Sequence, residues 1–208
     1  MRKANEAIIR ERQPIPTVEE LLQDLNGSTV FSKLDLKWGF HQIVLDETSR
    51  FITTFVTHRG LYRYKRLMFG VSSAPEKYQQ IIQGVIRNCE GVANIADDLI
   101  VHGRGKKEHD ERLLAVLECL EEAGLTLNAG KCEFRLNKLE FFGHEITQNV
   151  VKPSEEKIGD IRDAEAPRNS SEVRSFMGLV QFVSRFIPNL SSVAEPIQRL
   201  TRRNVMFE

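Results

Sequence analysis

Apolar and polar residues alternate over residues 29–36, with Val30, Ser32, Leu34 and Leu36 on one side and Phe31, Lys33 and Asp35 on the other. This period of two predicts a strand carrying Asp35 near its C-terminal end. Elsewhere the spacing turns helical. Val18, Leu21, Leu22 and Leu25 follow a Thr17/Glu20 capping box, which predicts a short helix ending near Gly27. Tyr78, Ile81, Ile82, Val85 and Ile86 form a second apolar stripe; Ser73 is its expected cap, with Pro75 in the first turn and Glu76 closing a capping box. A third helix over residues 108–123 turns Leu113, Val116, Leu117 and Leu120 inward and stops at Gly124.

Between these elements, Gly39-Phe40-His41 bends the chain and residues 42–45 read as extended. Residues 50–57 and 61–64 flank His58-Arg59-Gly60 as a hairpin with a basic tip. Two short strands are expected around Gly143 within residues 139–146. Residues 1–13 are polar with no clear helix start, and Pro14 and Pro16 mark an extended connection. After Pro153 the pattern becomes helical, over residues 155–163 and again over 172–186. The second of these is capped by Asn169 and has Val173, Phe176, Val180 and Val183 on its apolar side. A subdomain boundary near residue 150 is therefore expected. From residue 29 the order is strand, connection, helix, hairpin, helix, strands. The fold class is α+β, resembling a split βαβ ferredoxin-like sheet with two helices on one face.

The chemistry concentrates at Asn94-Ile95-Ala96-Asp97-Asp98-Leu99-Ile100-Val101. Apolar, strand-like flanks leave room for only a two- or three-residue turn, so a tight hairpin is predicted. Asp97 and Asp98 repel one another there unless a cation lies close by. A solvated turn is the plainer alternative, because Asp is a common turn residue.

Composition narrows the setting. A chain of 208 residues with 28% charged and 41% hydrophobic residues has a soluble, globular balance and length enough for a real core. No apolar run approaches membrane-spanning length and the N-terminus has no signal-peptide core, so an intracellular protein (cytoplasm or nucleus) with no membrane partner is expected. Cys89, Cys119 and Cys132 form no CxxC pair and suggest neither zinc nor a disulfide framework. The net charge is zero, but its distribution is uneven. Residues 58–73 hold Arg59, Arg63, Lys65 and Arg66 and no acid; residues 168–203 hold six arginines against Glu172 and Glu195. Both stretches are either phosphate contacts or solvated faces.

Four ordered motifs then point to one family. Phe31-Ser32-Lys33-Leu34-Asp35-Leu36-Lys37-Trp38-Gly39-Phe40-His41-Gln42-Ile43 resembles the first catalytic block of reverse transcriptases from gypsy-class LTR retrotransposons, whose retrovirus-like pol polyproteins carry the enzyme. Leu67-Met68-Phe69-Gly70-Val71-Ser72-Ser73-Ala74-Pro75 is similar to the second block. Ile95-Ala96-Asp97-Asp98 resembles the polymerase Asp-Asp box, with Ile95 where the family usually has Tyr. Leu139-Glu140-Phe141-Phe142-Gly143-His144 resembles the primer grip. Arg174-Ser175-Phe176-Met177-Gly178-Leu179 and Arg185-Phe186-Ile187-Pro188 resemble the start of the thumb.

The resemblance implies an RNA-directed DNA polymerase with a palm over residues 11–42 and 72–149. Partial fingers would cover residues 1–10 and 43–71, and the start of the thumb or connection residues 150–208. It also implies a chain that opens inside the fingers and closes before a ribonuclease H domain. The cofactor would be Mg²⁺, as two ions about 4 Å apart, or Mn²⁺. Asp35 and Asp97 would bridge the ions, the Leu36 carbonyl would bind one, and Asp98 would complete the primer-side site. The Trp38 and Gly39 amides would cradle the triphosphate. Phe40 would bar a 2′-hydroxyl, unless it is simply a core aromatic, and Phe69 and Gly70 would pack on the nucleotide. Lys131 is either a general acid for pyrophosphate or a surface lysine. Phe141, Phe142, Gly143 and His144 would grip the primer. The partners would be an RNA or DNA template with a DNA primer, and deoxynucleoside triphosphates. One alternative is a degenerate or domesticated fragment that binds nucleic acid without polymerising. A metal-dependent nuclease or cyclase on a palm-like scaffold is another.

Overall fold

The fold is taken from a computed structural model that describes residues 2–9, 17–95, 97–148 and 150–202. Contacts divide the chain into two units, Met1–Leu139 and Glu140–Glu208. The expected connection at Pro14 and Pro16 lies outside the described residues.

In the first unit, helices α1 (Arg2–Ala7) and α2 (Val18–Asp24) precede strand β1 (Val30–Asp35). The Thr17/Glu20 capping box forms in full: Thr17 Oγ1 accepts the Glu20 N–H, and Glu20 accepts the Thr17 N–H at 2.7 Å. Then follow β2 (Phe55–Thr57), β3 (Gly60–Tyr62), α3 (Ala74–Val85), β4 (Val92–Ile95), β5 (Asp98–Gly103), α4 (Lys106–Glu122) and β6 (Glu133–Leu136). The main sheet has the order β4-β5-β1-β6, antiparallel throughout, which is the strand order of a split βαβ ferredoxin-like fold. Leu34 and Leu36 from β1 and the residue after it meet Leu99 and Val101 of β5, Tyr78 and Ile82 of α3, and Val116 and Leu120 of α4 in one core cluster. That face of the sheet is covered by helices. Lys33 and Asp35, the alternate residues of β1, project to the other face.

Buried polar groups fasten this core. Ser32 and His109 are both fully buried. The Ser32 hydroxyl accepts the Arg135 N–H (3.1 Å) and lies 2.9 Å from His109 Nε2; His109 Nδ1 lies 3.0 Å from Asp110, which also takes a two-point contact from Arg135. These contacts join every member, so this Ser–His–Asp chain ties β1, α4 and β6 together, and the buried Ser32 and His109 are closed to substrate.

The structure departs from several expectations. Residues 47–53 form a 3-10 helix capped by Asp46, not the first arm of a hairpin, so the β2–β3 ladder is only three residues a side. Residues 42–45 contribute a single bridge, Val44 to Arg66, rather than an extended strand. Ser73 makes no side-chain cap bond: at φ −95° and ψ 3° its backbone is not in the extended form that aims a cap side chain at the helix amides. α1 and β6 were not expected at all.

In the second unit, β7 (Leu139–Phe141), β8 (His144–Ile146) and β9 (Val151–Pro153) form a small sheet, followed by α5 (Glu155–Arg162), α6 (Ser170–Phe182) and α7 (Leu190–Arg199). Asn169 caps α6 as expected, accepting the Ser171 and Glu172 N–H groups at 3.0 Å each. α6 is shorter than expected, since residues 184–186 pass into a 3-10 turn.

Candidate active site

Asp35 ends β1 and Asp98 opens β5, and the ladder register makes them direct cross-strand partners. Like charges placed so are mutually destabilising. Two lysines answer them: Lys33 Nζ lies 3.4 Å from Asp98 Oδ2, and Lys131 Nζ 3.9 Å from Asp35 Oδ2. Asp97 sits in the connection between β4 and β5, which is two residues long because Ile95 pairs with Asp98. Its backbone carbonyl accepts the Leu36 N–H at 3.2 Å, which draws the turn to the end of β1.

The Asp97 carboxylate lies against Gly39. Gly39 has φ +42°, and a Cβ there would stand 2.9 Å from both carboxylate oxygens, so the loop approaches as closely as it does because the residue is glycine. Although Asp97 as a residue is exposed, this close approach desolvates its carboxylate, and burial is the first cause that raises its pKa. Tyr78 and Lys131 pull it back down, while Asp35 and Asp98 push it further up. Tyr78 is 1% exposed, and its hydroxyl has no partner at full hydrogen-bond geometry. Burial first, and then the nearby Asp97 carboxylate, push the phenol's pKa up.

The 124–131 segment is sewn to this site. Lys37 N–H donates to the Thr126 carbonyl (2.9 Å), Asn128 N–H to the Asp35 carbonyl (2.9 Å), and the Gln42 side chain exchanges two hydrogen bonds with the Thr126 backbone (3.0 and 2.6 Å). These bonds deliver Lys131 to Asp35. Phe40 is half-buried, 5.1 Å from the Phe69 ring and 5.3 Å edge-on from Tyr78. Trp38 is 74% exposed with φ 60° and has Lys37 Nζ 5.0 Å from its ring; beside it a hollow of about 300 Å³ is lined by Lys37, His41, Gln42, Arg66, Gly124 and Thr126.

Residues 1–146 match the family described as Reverse transcriptase (RNA-dependent DNA polymerase). The chain belongs to the reverse transcriptase family. Among its relatives, the retrovirus-related Pol polyprotein from transposon 297 of Drosophila melanogaster is 34% identical across 100% of the chain, which spans 20% of that protein. The Transposon Tf2-3 polyprotein of Schizosaccharomyces pombe is 32% identical across 94% of the chain and 15% of its own length. The chain thus spans a fifth or less of these relatives. Among solved structures, foamy viral protease-reverse transcriptase is similar in its dRH form with double-stranded DNA (TM-score 0.88, 25% identity, 96% of this chain and 35% of that one). It is similar also with an RNA/DNA hybrid (TM-score 0.83, 25% identity, 96% and 27%).

Membership of the reverse transcriptase family implies use of a divalent metal ion. The donor chemistry here fits one: three carboxylates, and a Leu36 carbonyl that accepts a long 3.4 Å contact from the Gly39 N–H, form an oxygen-only set suited to a hard cation. Among the described residues, no three His, Cys, Asp or Glu side chains are gathered on one point as a ready cage. Each carboxylate instead has its own neighbour: Lys33 beside Asp98, Lys131 beside Asp35 and the Gly39 loop beside Asp97.

Of the residues singled out in the sequence, Asp35, Leu36, Gly39, Phe40, Phe69, Asp97, Asp98 and Lys131 fall within this neighbourhood of the first unit. Phe141, Phe142, Gly143 and His144 belong to the second. There, Phe141 is buried and Phe142 exposed, at φ 45°. His144 Nδ1 donates to the Phe142 carbonyl at 2.8 Å, and its ring lies 5.2 Å from Phe182. A Cβ on Gly143 would meet Phe182 at 2.9 Å. Sequence reasoning passed over Lys33 and Gln42 as site residues and took Tyr78 for core alone. The signals for the first and last were the strand alternation that puts Lys33 beside Asp35, and a hydroxyl on an otherwise apolar stripe. Among the described residues no helix is long and apolar enough to cross a membrane.

Proposed function

We propose that the chain carries the nucleotidyl-transfer centre of a retrotransposon reverse transcriptase, adding deoxynucleotides to a DNA primer along an RNA or DNA template. The observation that carries this reading is the facing pair Asp35 and Asp98 with Asp97 on the adjoining turn. Asp35, Asp97 and the Leu36 carbonyl, joined by Asp98, are the groups that would hold two Mg²⁺ (or Mn²⁺) ions. When bound, the ions would supply activation of the primer 3′-hydroxyl and neutralise charge on the departing pyrophosphate.

The protein's share is positioning and charge. The Trp38 and Gly39 amides face the triphosphate. Phe40, braced by Tyr78 and Phe69, closes the space that a 2′-hydroxyl would need. Phe69 and Gly70 pack on the nucleotide. Lys131, already beside Asp35, gives a proton to pyrophosphate, and Phe141 to His144 steady the primer strand. Residues 43–71 act as fingers, the ferredoxin-like sheet as palm and residues beyond 150 as thumb.

The test is primer extension on an RNA template with deoxynucleotides and Mg²⁺, comparing the wild type with Asp97→Asn. Extension that disappears in the variant, with RNA binding retained, supports the reading. A wild type that binds template-primer and never extends it overturns it in favour of a nucleic-acid-binding fragment.

A further inference from the structure

The loop that carries Phe69 and Gly70 is held by a residue far away in the sequence. Asn5, in α1, donates from Nδ2 to the Gly70 carbonyl at 2.8 Å and accepts the Ser72 N–H on Oδ1 at 3.0 Å. A single primary amide thereby satisfies both a carbonyl and an N–H of one loop, as a neighbouring strand would. Asn is the shorter of the two side-chain amides, which present an N–H donor and a carbonyl acceptor side by side. Asp in its place keeps the acceptor but sets a carboxylate against the Gly70 carbonyl.

The loop needs such a hold. Gly70 turns at φ +90°, and Phe69 just before it is 64% exposed, so little packing fixes the ring from outside. Yet Phe69 is one of the two aromatic supports of Phe40, at 5.1 Å between ring centroids, and it also meets His41 at 5.4 Å. The other support, Tyr78, is locked in the core. Movement of the Gly70 loop therefore reaches Phe40 through Phe69.

We infer that Asn5 is a positioning residue for sugar selection, clamping Gly70 and Ser72 so that Phe69 holds Phe40 against the nucleotide. This rests on the polymerase reading above. Asn5 touches neither nucleotide nor primer; it acts through the loop. Loss of one or both bonds loosens the support, which lowers discrimination against ribonucleotides more than it lowers the rate with deoxynucleotides. At about 1 kcal/mol for each hydrogen bond, losing one corresponds to a drop in selectivity of up to about fivefold and losing both to up to about thirtyfold.

The experiment measures kcat/KM for deoxy- and ribonucleotides in primer extension by the wild type, Asn5→Ala, Asn5→Asp and Asn5→Gln. Thermal unfolding and hydrogen exchange at the Ser72 amide are followed in parallel. The expected result is a selectivity loss in Asn5→Ala and Asn5→Asp, partial recovery in Asn5→Gln, faster Ser72 exchange in the first, and template-primer affinity unchanged. If Asn5→Ala does not fold, Asn5→Asp, which retains the Ser72 bond, carries the comparison. Unchanged selectivity in an active, folded Asn5→Ala or Asn5→Asp overturns the clamp while leaving the polymerase reading intact. Loss of rate with both sugars in equal proportion also overturns it, because a merely structural role gives that pattern. A wild type that extends with neither sugar overturns the parent reading and this one together.

Discussion

Asp35 and Asp98 face each other across the β1–β5 ladder, and Lys33, two residues back on the same side of β1, brings its Nζ to 3.4 Å from Asp98. The lysine offsets a repulsion that the strand register imposes. Both Lys33 and Asp98 are more than two-thirds buried at their side chains, so solvent screens the pair only in part.

Lys33→Met should therefore destabilise the fold by about 1 kcal/mol in metal-free buffer, read as a lower urea midpoint. Added Mg²⁺ should recover part of the loss, because a divalent cation between the carboxylates replaces the missing charge. An identical loss with and without Mg²⁺ would mean that these carboxylates do not take the ion.

Gly39→Ala tests the other side of the site. The added methyl would lie 2.9 Å from both Asp97 oxygens at a backbone φ of +42°. Strain of about 1–3 kcal/mol is expected, together with loss of primer extension as the Asp97 carboxylate is pushed aside. Gly60→Ala is the control: its φ is +118° but nothing lies within 4 Å, so it should cost stability and leave extension intact.

The sheet and its two helices were legible in the sequence because local and tertiary demands agree there. β1 alternates and is half covered, α3 and α4 carry single apolar stripes, and Thr17/Glu20 and Asn169 have extended backbones that let the cap side chains work. Ser73 has the right side chain on the wrong backbone. The 47–53 segment was misread because Thr53, Phe51 and Ile52 have strand-like composition, whereas Asp46 accepting the Thr48 N–H starts a helical turn. Asp97 and Asp98 could be named from the sequence because they are adjacent between apolar flanks, and Asp35 because it ends an alternating strand. Strand alternation puts Lys33 on the side of Asp35, but its partner Asp98 follows from cross-strand register, and Asn5 meets its loop across 65 residues, which no local pattern encodes.

Phe40 is half-buried, edge-on to Tyr78 and tilted against Phe69, so the proposed gate and a plain core role make different predictions for its replacement. Phe40→Val should admit ribonucleotides roughly ten- to two-hundredfold more readily, the range expected when a small steric barrier of about 1–3 kcal/mol is removed. It should also cost stability, as the edge contact with Tyr78 disappears. Competition between deoxy- and ribonucleotides on one template checks the first, and thermal unfolding the second. A change in stability with selectivity unaltered would leave Phe40 as a core aromatic alone.

His102 gives the fold a pH dependence below neutrality. It is 8% exposed on β5, with Nδ1 2.8 Å from the Ser28 hydroxyl. Burial first, and then the Arg112 guanidinium, lower its pKa from the ordinary 6.5; His109 acts in the same direction, while Asp24 and Glu108 oppose it. The unfolded chain therefore takes up a proton near pH 6.5 that the folded chain refuses until lower pH. Because the unfolded state binds more protons in that window, stability falls as pH drops through 6.5 and goes on falling to the lowered folded value. Ordinary carboxylates titrate near pH 4, so a comparison between about pH 7.5 and about pH 5.5 spans the histidine range, and a His102 variant separates His102 from the other four histidines and from Asp97, whose pKa is raised. Urea unfolding at those two pH values should show a clear loss for the wild type and a smaller loss for His102→Gln, which stays uncharged throughout. Equal losses in both proteins would assign the pH dependence to another group.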